Sequence, residues 1–139
     1  MLFLTPELAD AVTRHALAAH PVEACGLIAG LPGEHPARRV PLRNAADASD
    51  AFRFDSREQL TVWRELEERG EVPRAFYHSH TASRAYPSRE DVAFATDPAT
   101  HYLIISIADR ECPELRSFRI AAGRVIEETL VIAHRPSST

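Results

Sequence analysis

The sequence predicts an α/β or α+β fold, in which helices pack on a β-sheet. Three segments begin with helix-capping residues, and about six short segments have the apolar or alternating patterns of strands. Helices and strands alternate along the first two thirds of the chain, and the last third is strand-like throughout. Such interleaving is typical of a sheet covered by helices. A chain of 139 residues makes one ordinary domain, so we expect a single domain over residues 1–139.

The N-terminal part is predicted to contain one helix and one buried strand. Thr5 is an N-cap residue and Pro6 suits the first helical position, so the helix should cover residues 6–19. Pro21 ends it, because the residue before a proline is pushed out of the helical region. Residues 25–30 form a short apolar run closed by glycine, which predicts a buried strand.

The middle of the chain is predicted to hold two weaker strands and a second helix. Residues 39–43 alternate polar and apolar side chains, and Pro41 favours an edge strand or an irregular one. Residues 52–54 alternate again and predict a short strand. Ser56 and a glutamine three residues later form a capping box, which opens a helix that Gly70 should end. Two connections are also predicted, a turn at 31–36 and a loop at 44–50.

The second half of the chain is predicted to contain a strand, a short helix and three further strands. Residues 73–77 should form a strand that leads into His78-Ser79-His80. After a loop, Ser88 is a favourable N-cap, and the helix that it opens should run to about Ala95. The remaining strands are predicted at 102–107, 115–120 and 125–132, with a turn at 122–123.

Composition excludes several classes of protein. The formal net charge of −4 argues against a general nucleic-acid binder, which needs a basic excess to neutralise phosphates. No apolar run approaches the roughly 20 residues of a membrane span, and the opening residues lack the basic region and apolar core of a signal peptide. Two cysteines, Cys25 and Cys112, are too few for a disulfide framework, so we expect reduced thiols in the cytoplasm.

A candidate metal site is centred on His78 and His80. Side chains alternate across a strand, so two imidazoles one residue apart point to the same face. An N-cap at Ser88 places Asp91 in the first turn of the following helix. Two histidines and one carboxylate make three protein ligands, the number that a catalytic zinc keeps while leaving the fourth position to water. A histidine pair of this spacing also occurs without metal, and Asp91 also suits a helix N-terminus for its charge alone.

Hydrolysis at such a site needs a base and a donor to the oxyanion. Glu23, just before the first buried strand, is the candidate base, although most acidic residues are simply solvated. Ser88 is a candidate donor to the oxyanion, and its interpretation as a plain N-cap is equally natural. Cys25 lies close to Glu23, but no separate base is evident for it. We therefore interpret Cys25 as a small buried residue rather than a nucleophile.

These residues together resemble the signature of the JAMM (MPN+) zinc metalloprotease family. That signature is an upstream glutamate, then His-Ser-His, seven residues, a serine, two residues and an aspartate. The spacing from His80 to Ser88 and Asp91 agrees without gaps. The resemblance implies one zinc ion on His78, His80 and Asp91, with Glu23 as general base and Ser88 as oxyanion stabiliser. It also implies a mixed sheet between helices, similar to that of the cytidine deaminases.

A closer resemblance, to one branch of the family, extends over residues 20–132. It is carried by segments such as His20–Gly26, Phe54–Ser56, Val62–Arg64 and Ala85–Ser88. That branch removes cysteine from the C-terminus of a ubiquitin-like sulfur-carrier protein ending in Gly-Gly. This chain lacks the long insertions and the second, cysteine-containing zinc site of the deubiquitinating branch, so lysine-linked ubiquitin chains are a less expected substrate. The oligomeric state is left open, with a homodimer as one option.

Three other functions stay open. A peptidase of the same family could mature or deconjugate another ubiquitin-like protein. A non-catalytic MPN scaffold would only bind partners, although the intact set of candidate ligands argues against it. Two histidines and a carboxylate also suit Fe(II) in non-haem oxygenases. The double-stranded β-helix of those enzymes needs more strands and fewer helices than this sequence predicts.

Overall fold

The computed structural model describes residues 1–33, 37–46 and 51–134. Parts of the predicted turn at 31–36 and of the predicted loop at 44–50 lie outside these ranges, as do residues 135–139. The described residues form three helices and eight strands. In chain order they are β1 (Leu2–Leu4), α1 (Pro6–Ala19), β2 (Cys25–Gly30), β3 (Ala37–Leu42), α2 (Ser56–Arg69), β4 (Val72–His80), α3 (Arg89–Phe94), β5 (His101–Ser106), β6 (Glu114–Ala121), β7 (Arg124–Glu128) and β8 (Leu130–Ile132).

Six of the strands form one mixed sheet in the order β3-β2-β4-β5-β6-β7. Strands β4 and β5 run parallel, and the other neighbouring pairs of this sheet are antiparallel. Strands β1 and β8 form a separate parallel pair. The mixed sheet with its helices confirms the predicted fold class. Strand β3 lies at an edge of the sheet, as its proline predicts.

Helix α1 begins and ends where the sequence predicts. The Thr5 hydroxyl accepts a hydrogen bond from the Leu8 N–H (3.2 Å), and Pro6 is the first helical residue. The buried stripe of α1, which includes Val12, packs with Tyr77 in the core on one face of the sheet. None of the helices within the described ranges is long and apolar enough to cross a membrane.

Helix α2 is capped one residue earlier than the sequence analysis predicts. Asp55, not Ser56, is the N-cap, and its carboxylate accepts hydrogen bonds from the N–H groups of Arg57 (3.0 Å) and Glu58 (3.1 Å). A carboxylate is a stronger acceptor than a hydroxyl, and the positive end of the helix favours its charge. Gly70 ends α2 in the left-handed conformation (φ 69°), as predicted.

Helices α1 and α2 lie on opposite faces of the six-stranded sheet. Along β4, Tyr77 belongs to the core under α1, whereas Phe76 packs with Val62 in the core under α2. Because side chains alternate along a strand, His78 and His80 leave β4 on the same face as Phe76. Helix α3 lies in the connection between the parallel strands β4 and β5. The histidines therefore lie at the carboxyl end of β4, on the α2 side of the sheet.

Two of the strand predictions are wrong. Residues 52–54 form no strand, because Phe54 makes only an isolated bridge with Asn44. The Arg53 N–H donates a hydrogen bond to the Asn44 side chain instead of to a neighbouring strand. The predicted strand at 125–132 is divided into β7 and β8, because β8 leaves the main sheet and pairs with β1. Strand β1 was not predicted, since three residues are too few to show a pattern.

Candidate metal centre

His78, His80 and Asp91 converge at the carboxyl end of β4. The His78 Nε2 and His80 Nε2 atoms lie 3.2 Å apart, and Asp91 Oδ2 lies 3.0 Å from the first and 3.1 Å from the second. Both histidines are buried, and the Asp91 side chain is 10% exposed. Among the described residues, these three have ligand atoms close enough together to hold one metal ion. The sequence predicts this same group.

The alternation of β4 aims both imidazoles at this point. Ser79, between them, points to the opposite face. Its hydroxyl accepts a hydrogen bond from the Ala24 N–H (2.7 Å), and its own N–H donates to the Ala24 carbonyl oxygen (2.9 Å). These two bonds hold the end of β4 against the segment that follows Glu23.

A second contact fixes the orientation of each histidine ring. His80 Nδ1 lies 2.9 Å from the carbonyl oxygen of Arg84, which can only accept, so Nδ1 carries the proton. The Nε2 atom of neutral His80 is then an acceptor, as a metal ligand must be. His78 is stacked against the ring of Phe52, with the centroids 4.4 Å apart.

The capping box of α3 fixes the Asp91 carboxylate. Ser88 Oγ accepts a hydrogen bond from the Asp91 N–H (3.1 Å), and the Ser88 N–H donates to Asp91 Oδ2 (2.8 Å). The predicted N-cap at Ser88 and the predicted first-turn position of Asp91 are both confirmed. The oxygen that Ser88 holds is the one nearest to the two histidines.

Burial and hydrogen bonding act in opposite directions on these ionisable groups. Burial lowers the pKa of His78 below its ordinary value, and the hydrogen bond to Asp91 offsets this only in part. Burial also disfavours protonated His80, but its contacts with Asp91 and the Arg84 carbonyl raise its pKa. Burial alone would raise the pKa of Asp91, yet the two histidines hold that pKa well below its usual range. Asp91 is therefore a carboxylate.

The donor set fits a divalent cation. With the proton of neutral His80 on Nδ1, the His80 Nε2 and Asp91 Oδ2 atoms are two acceptors that face each other at 3.1 Å. Two acceptors at this distance repel each other unless a proton or a cation lies between them. Two imidazole nitrogens and one carboxylate oxygen are ligands of catalytic zinc sites with three protein ligands.

Glu23 lies beside this centre, two residues before the start of β2. The residue is 4% exposed, and β2 pairs with β4 so that Cys25 is opposite His78. The negative charge of Glu23 contributes to the raised pKa of His80. The structure thus brings the candidate base to the candidate ligands, although Glu23 and His78 are 55 positions apart in the sequence.

Asn44 is a part of the site that the sequence analysis missed. It is buried, and its Nδ2 donates hydrogen bonds to the carbonyl oxygens of Glu23 (3.1 Å) and Ala51 (2.9 Å). Its Oδ1 accepts hydrogen bonds from the N–H groups of Ala46 (2.9 Å) and Arg53 (3.1 Å). All four bonding positions of the carboxamide are used. A single asparagine in a run of small polar residues gives no sequence signal for this role.

A cavity of about 370 Å³ adjoins the centre between α2 and α3. His78 and Asp91 form part of its wall. Aromatic side chains line much of the remainder: Phe52, Phe54, Phe76, Phe94 and Tyr102. A largely apolar cavity with a few polar groups is typical of a site that binds a substrate.

Neither cysteine takes part in the metal centre. Cys25 is fully buried, its Sγ lies 3.6 Å from the Leu42 carbonyl oxygen, and burial raises the pKa of its thiol to about 12. A neutral thiol is a poor nucleophile. The interpretation of Cys25 as a buried strand residue is confirmed, and Cys112 is an exposed free thiol.

Similar sequences are found among known peptidases. Residues 5–121 match the family described as prokaryotic homologs of the JAB domain. The chain is 46% identical over 136 residues to a Mycobacterium tuberculosis protein named CysO-cysteine peptidase, with 97% of this chain and 93% of that protein covered. It is 31% identical over 115 residues to a Haloferax volcanii protein named desampylase, with 76% of this chain and 80% of that protein covered.

Solved structures show the same fold. The solution structure of a protein from Desulfitobacterium hafniense superposes with a TM-score of 0.85 at 37% identity, covering 97% of this chain and 94% of the other. A crystal structure of a JAB1/MPN domain protein from Archaeoglobus fulgidus gives a TM-score of 0.64 at 17% identity, covering 96% and 99%. At that identity the second likeness concerns the fold alone.

Proposed function

The chain belongs to the JAB/MPN family, and on that basis we propose that it is a zinc-dependent hydrolase of a ubiquitin-like sulfur-carrier protein. The bond cleaved is the amide between the C-terminal glycine of the carrier and a cysteine, which is released. One observation carries the chemistry: two imidazole nitrogens and a carboxylate oxygen converge beside a buried glutamate. The substrate is proposed from the 46% identity to the relative named CysO-cysteine peptidase.

One zinc ion per chain would be held by the Nε2 atoms of His78 and His80 and by the Asp91 carboxylate. When bound, zinc supplies a Lewis acid and lowers the pKa of water toward about 7. The protein keeps the three ligand atoms in place through the Arg84 carbonyl, the ring of Phe52 and the capping box of α3.

Glu23 is the proposed general base. Its carboxylate accepts a proton from the attacking water and later delivers it to the nitrogen that leaves as the amine of cysteine. The paired hydrogen bonds between Ser79 and Ala24 hold this segment against β4. They hold the backbone that carries Glu23 close to the ligands, and the Glu23 residue is buried there.

Ser88 is the proposed donor to the oxyanion. Its Oγ accepts a hydrogen bond from the Asp91 N–H, which leaves the hydroxyl proton free to be donated. The residue is exposed, so this proton can reach a substrate. One side chain thereby serves both as N-cap of α3 and as oxyanion donor, a contact whose loss typically costs about 10² to 10³ in rate.

Two segments beside the centre are proposed to receive the carrier tail, residues 45–54 and 81–86. An extended tail commonly binds through main-chain hydrogen bonds, and a Gly-Gly end lets its backbone approach closely. Residues 47–50 of the first segment lie outside the described ranges. Phe52 and Phe54, in the same segment, line the cavity that adjoins His78.

Incubation of the zinc-loaded protein with a carrier ending in Gly-Gly-Cys tests this function. We expect release of cysteine, measured by mass spectrometry of the carrier. The Glu23→Gln variant should keep its zinc and lose hydrolysis. Near wild-type turnover by this variant would mean that the base lies elsewhere. No cleavage by the wild type would remove the proposed substrate while leaving the hydrolase class.

The 31% identity to a protein named desampylase favours a second function of the same class, deconjugation of another ubiquitin-like protein. Competition between the carrier–cysteine adduct and a lysine-linked Gly-Gly conjugate separates the two. A purified protein without tightly bound zinc would instead support a non-catalytic scaffold. The six-stranded mixed sheet is not the double-stranded β-helix of non-haem iron oxygenases. The single domain, the cytoplasmic location and the oligomeric state stay predictions from the sequence.

A further inference from the structure

Arg53 is the arginine among the residues that line the cavity beside the metal centre. Its Nη2 atom donates a hydrogen bond to the Ala45 carbonyl oxygen at 3.2 Å. No carboxylate in residues 1–33, 37–46 or 51–134 forms an ion pair with it, whereas Arg38 and Arg119 are each paired with a glutamate. Arg53 is exposed, and its guanidinium keeps N–H donors beyond the one that the Ala45 carbonyl oxygen uses, so within these ranges its charge can meet a ligand at the cavity.

Asn44 fixes the position of Arg53 relative to the proposed base. Its Oδ1 accepts a hydrogen bond from the Arg53 N–H, and its Nδ2 donates to the Glu23 carbonyl oxygen, each at 3.1 Å. One carboxamide therefore separates the backbones of Arg53 and Glu23. The residue before Arg53 is Phe52, which stacks on His78. The long side chain of Arg53 thus begins beside both the proposed base and a proposed zinc ligand.

We infer that Arg53 binds the α-carboxylate of the amino acid that leaves, an inference that rests on the proposed function. A cysteine joined through its α-amine carries a carboxylate on the carbon bonded to the scissile nitrogen. Glu23 delivers its proton to that same nitrogen, so its carboxyl group and the carboxylate of the substrate lie close together. Before Glu23 accepts the proton and after it delivers the proton, both groups are negatively charged and repel each other. A guanidinium at this place offsets the repulsion, and its paired N–H donors match a carboxylate.

This contact selects the leaving group. A C-terminal amino acid presents a carboxylate next to the scissile nitrogen, whereas a lysine side chain in an isopeptide bond presents only methylene groups there. Arg53 therefore favours release of an amino acid over deconjugation from lysine. It is a specificity-determining residue of the proposed reaction.

Two substrates that differ only in this carboxylate test the inference. One is the carrier ending in Gly-Gly-Cys, and the other is the same conjugate with the cysteine as its amide. For the wild type, we expect kcat/KM to be at least about tenfold higher for the acid, which corresponds to one charge-assisted hydrogen bond. Arg53→Gln should lower kcat/KM for the acid to the value for the amide and leave the amide unchanged. Arg53→Lys should restore part of the preference.

Arg57→Gln is the matched control, because Arg57 is exposed in the first turn of α2 and is not part of the cavity wall. It should leave the preference for the acid unchanged, and the zinc content and circular dichroism of each variant report whether it is folded. Equal cleavage of both substrates by the wild type would overturn the inference about Arg53 and leave the proposed function intact. An equal loss of kcat/KM for both substrates in Arg53→Gln would have the same consequence. If the wild type cleaves neither substrate, the proposed substrate fails and the inference fails with it.

Discussion

The ring of Phe52 lies against the imidazole of His78, with centroids 4.4 Å apart and planes inclined by 22°. Phe52 also packs against the core under α2. The contact therefore joins the apolar core to a proposed zinc ligand. Partners outside the ligand shell orient metal-binding histidines and influence metal affinity.

Replacing Phe52 by leucine should weaken zinc binding about tenfold, the lower end of the usual range for such partners. Leucine keeps most of the apolar packing but offers no flat surface to hold the His78 ring. Competition with a chelator measures the affinity. Phe54→Leu is the control, because the Phe54 ring contacts Phe52 and Phe76, whereas the ring stacked on His78 is that of Phe52. Wild-type affinity in Phe52→Leu would mean that Asp91 alone orients the ring.

Replacing Ser88 by alanine should lower stability by about 1 kcal/mol, because α3 loses its N-cap. If Ser88 also donates to the oxyanion, kcat should fall by about 10² to 10³ in the folded, zinc-loaded protein. Urea unfolding and steady-state kinetics measure the two effects separately.

Thr5→Ala is the matched control for Ser88→Ala. Thr5 caps α1 through the same kind of hydrogen bond, to the Leu8 N–H, and belongs to the other face of the sheet. Its loss should cost similar stability and leave kcat unchanged. Equal kcat values for the two variants would mean that Ser88 acts only as a helix cap.

Local signals in the sequence were enough to predict much of the fold and of the ligand set. The caps at Thr5 and Ser88 and the stop at Gly70 depend on residues within one helical turn. His78 and His80 share a face because of the strand period, which needs no distant contact. The three ligands span 14 residues, so their meeting could be predicted from local geometry.

Contacts between distant segments could not be predicted in this way. The pairing of β1 with β8 joins residues near opposite ends of the chain, and Asn44 reaches back 21 residues to Glu23. The place of Glu23 beside the histidines was expected from the family resemblance and not from periodicity. The cap at Asp55 was missed because Ser56 offers a second good cap one residue later.

Replacing Asn44 by alanine should destabilise the protein by about 2–3 kcal/mol, because it leaves buried backbone groups without partners. It should also lower kcat/KM, since Asn44 joins the Glu23 segment to the chain that carries Phe52 and Arg53. Asn44→Asp should lower stability and kcat/KM as well, because a carboxylate cannot donate hydrogen bonds to the two carbonyl oxygens. Urea unfolding and hydrolysis of the carrier–cysteine adduct measure these effects. Wild-type stability in either variant would contradict the role.

Gly26 is required by close packing between β2 and its neighbours. A Cβ atom at Gly26 would lie 2.5 Å from the Val40 carbonyl oxygen and 2.6 Å from both Cε2 and Oη of Tyr77. Gly26→Ala should therefore cost about 1–3 kcal/mol in urea unfolding. Adding Tyr77→Phe removes the clash with Oη and leaves the clashes with the ring carbon Cε2 and the Val40 carbonyl oxygen, so the double variant should be only slightly more stable than the sum of the two losses predicts. Strict additivity would show that the Val40 carbonyl oxygen and the ring carbon, and not the Tyr77 hydroxyl, cause the loss.

Replacing Cys25 by alanine should leave hydrolysis unchanged. The thiol is fully buried, and its pKa of about 12 keeps it neutral throughout the range in which the enzyme would be assayed. The variant should lose about 1 kcal/mol of stability, because the packing of the sulfur atom is lost, and should keep both kcat/KM and its pH profile.

In the folded wild type, a thiol-alkylating reagent should modify the exposed Cys112 and spare Cys25 until urea unfolds the chain. Cys112→Ala provides the control, since it should remove the fast labelling and change neither activity nor stability. Loss of hydrolysis in a zinc-loaded Cys25→Ala variant would instead indicate a thiol nucleophile, and the roles of Glu23 and the metal centre would then have to be reassigned.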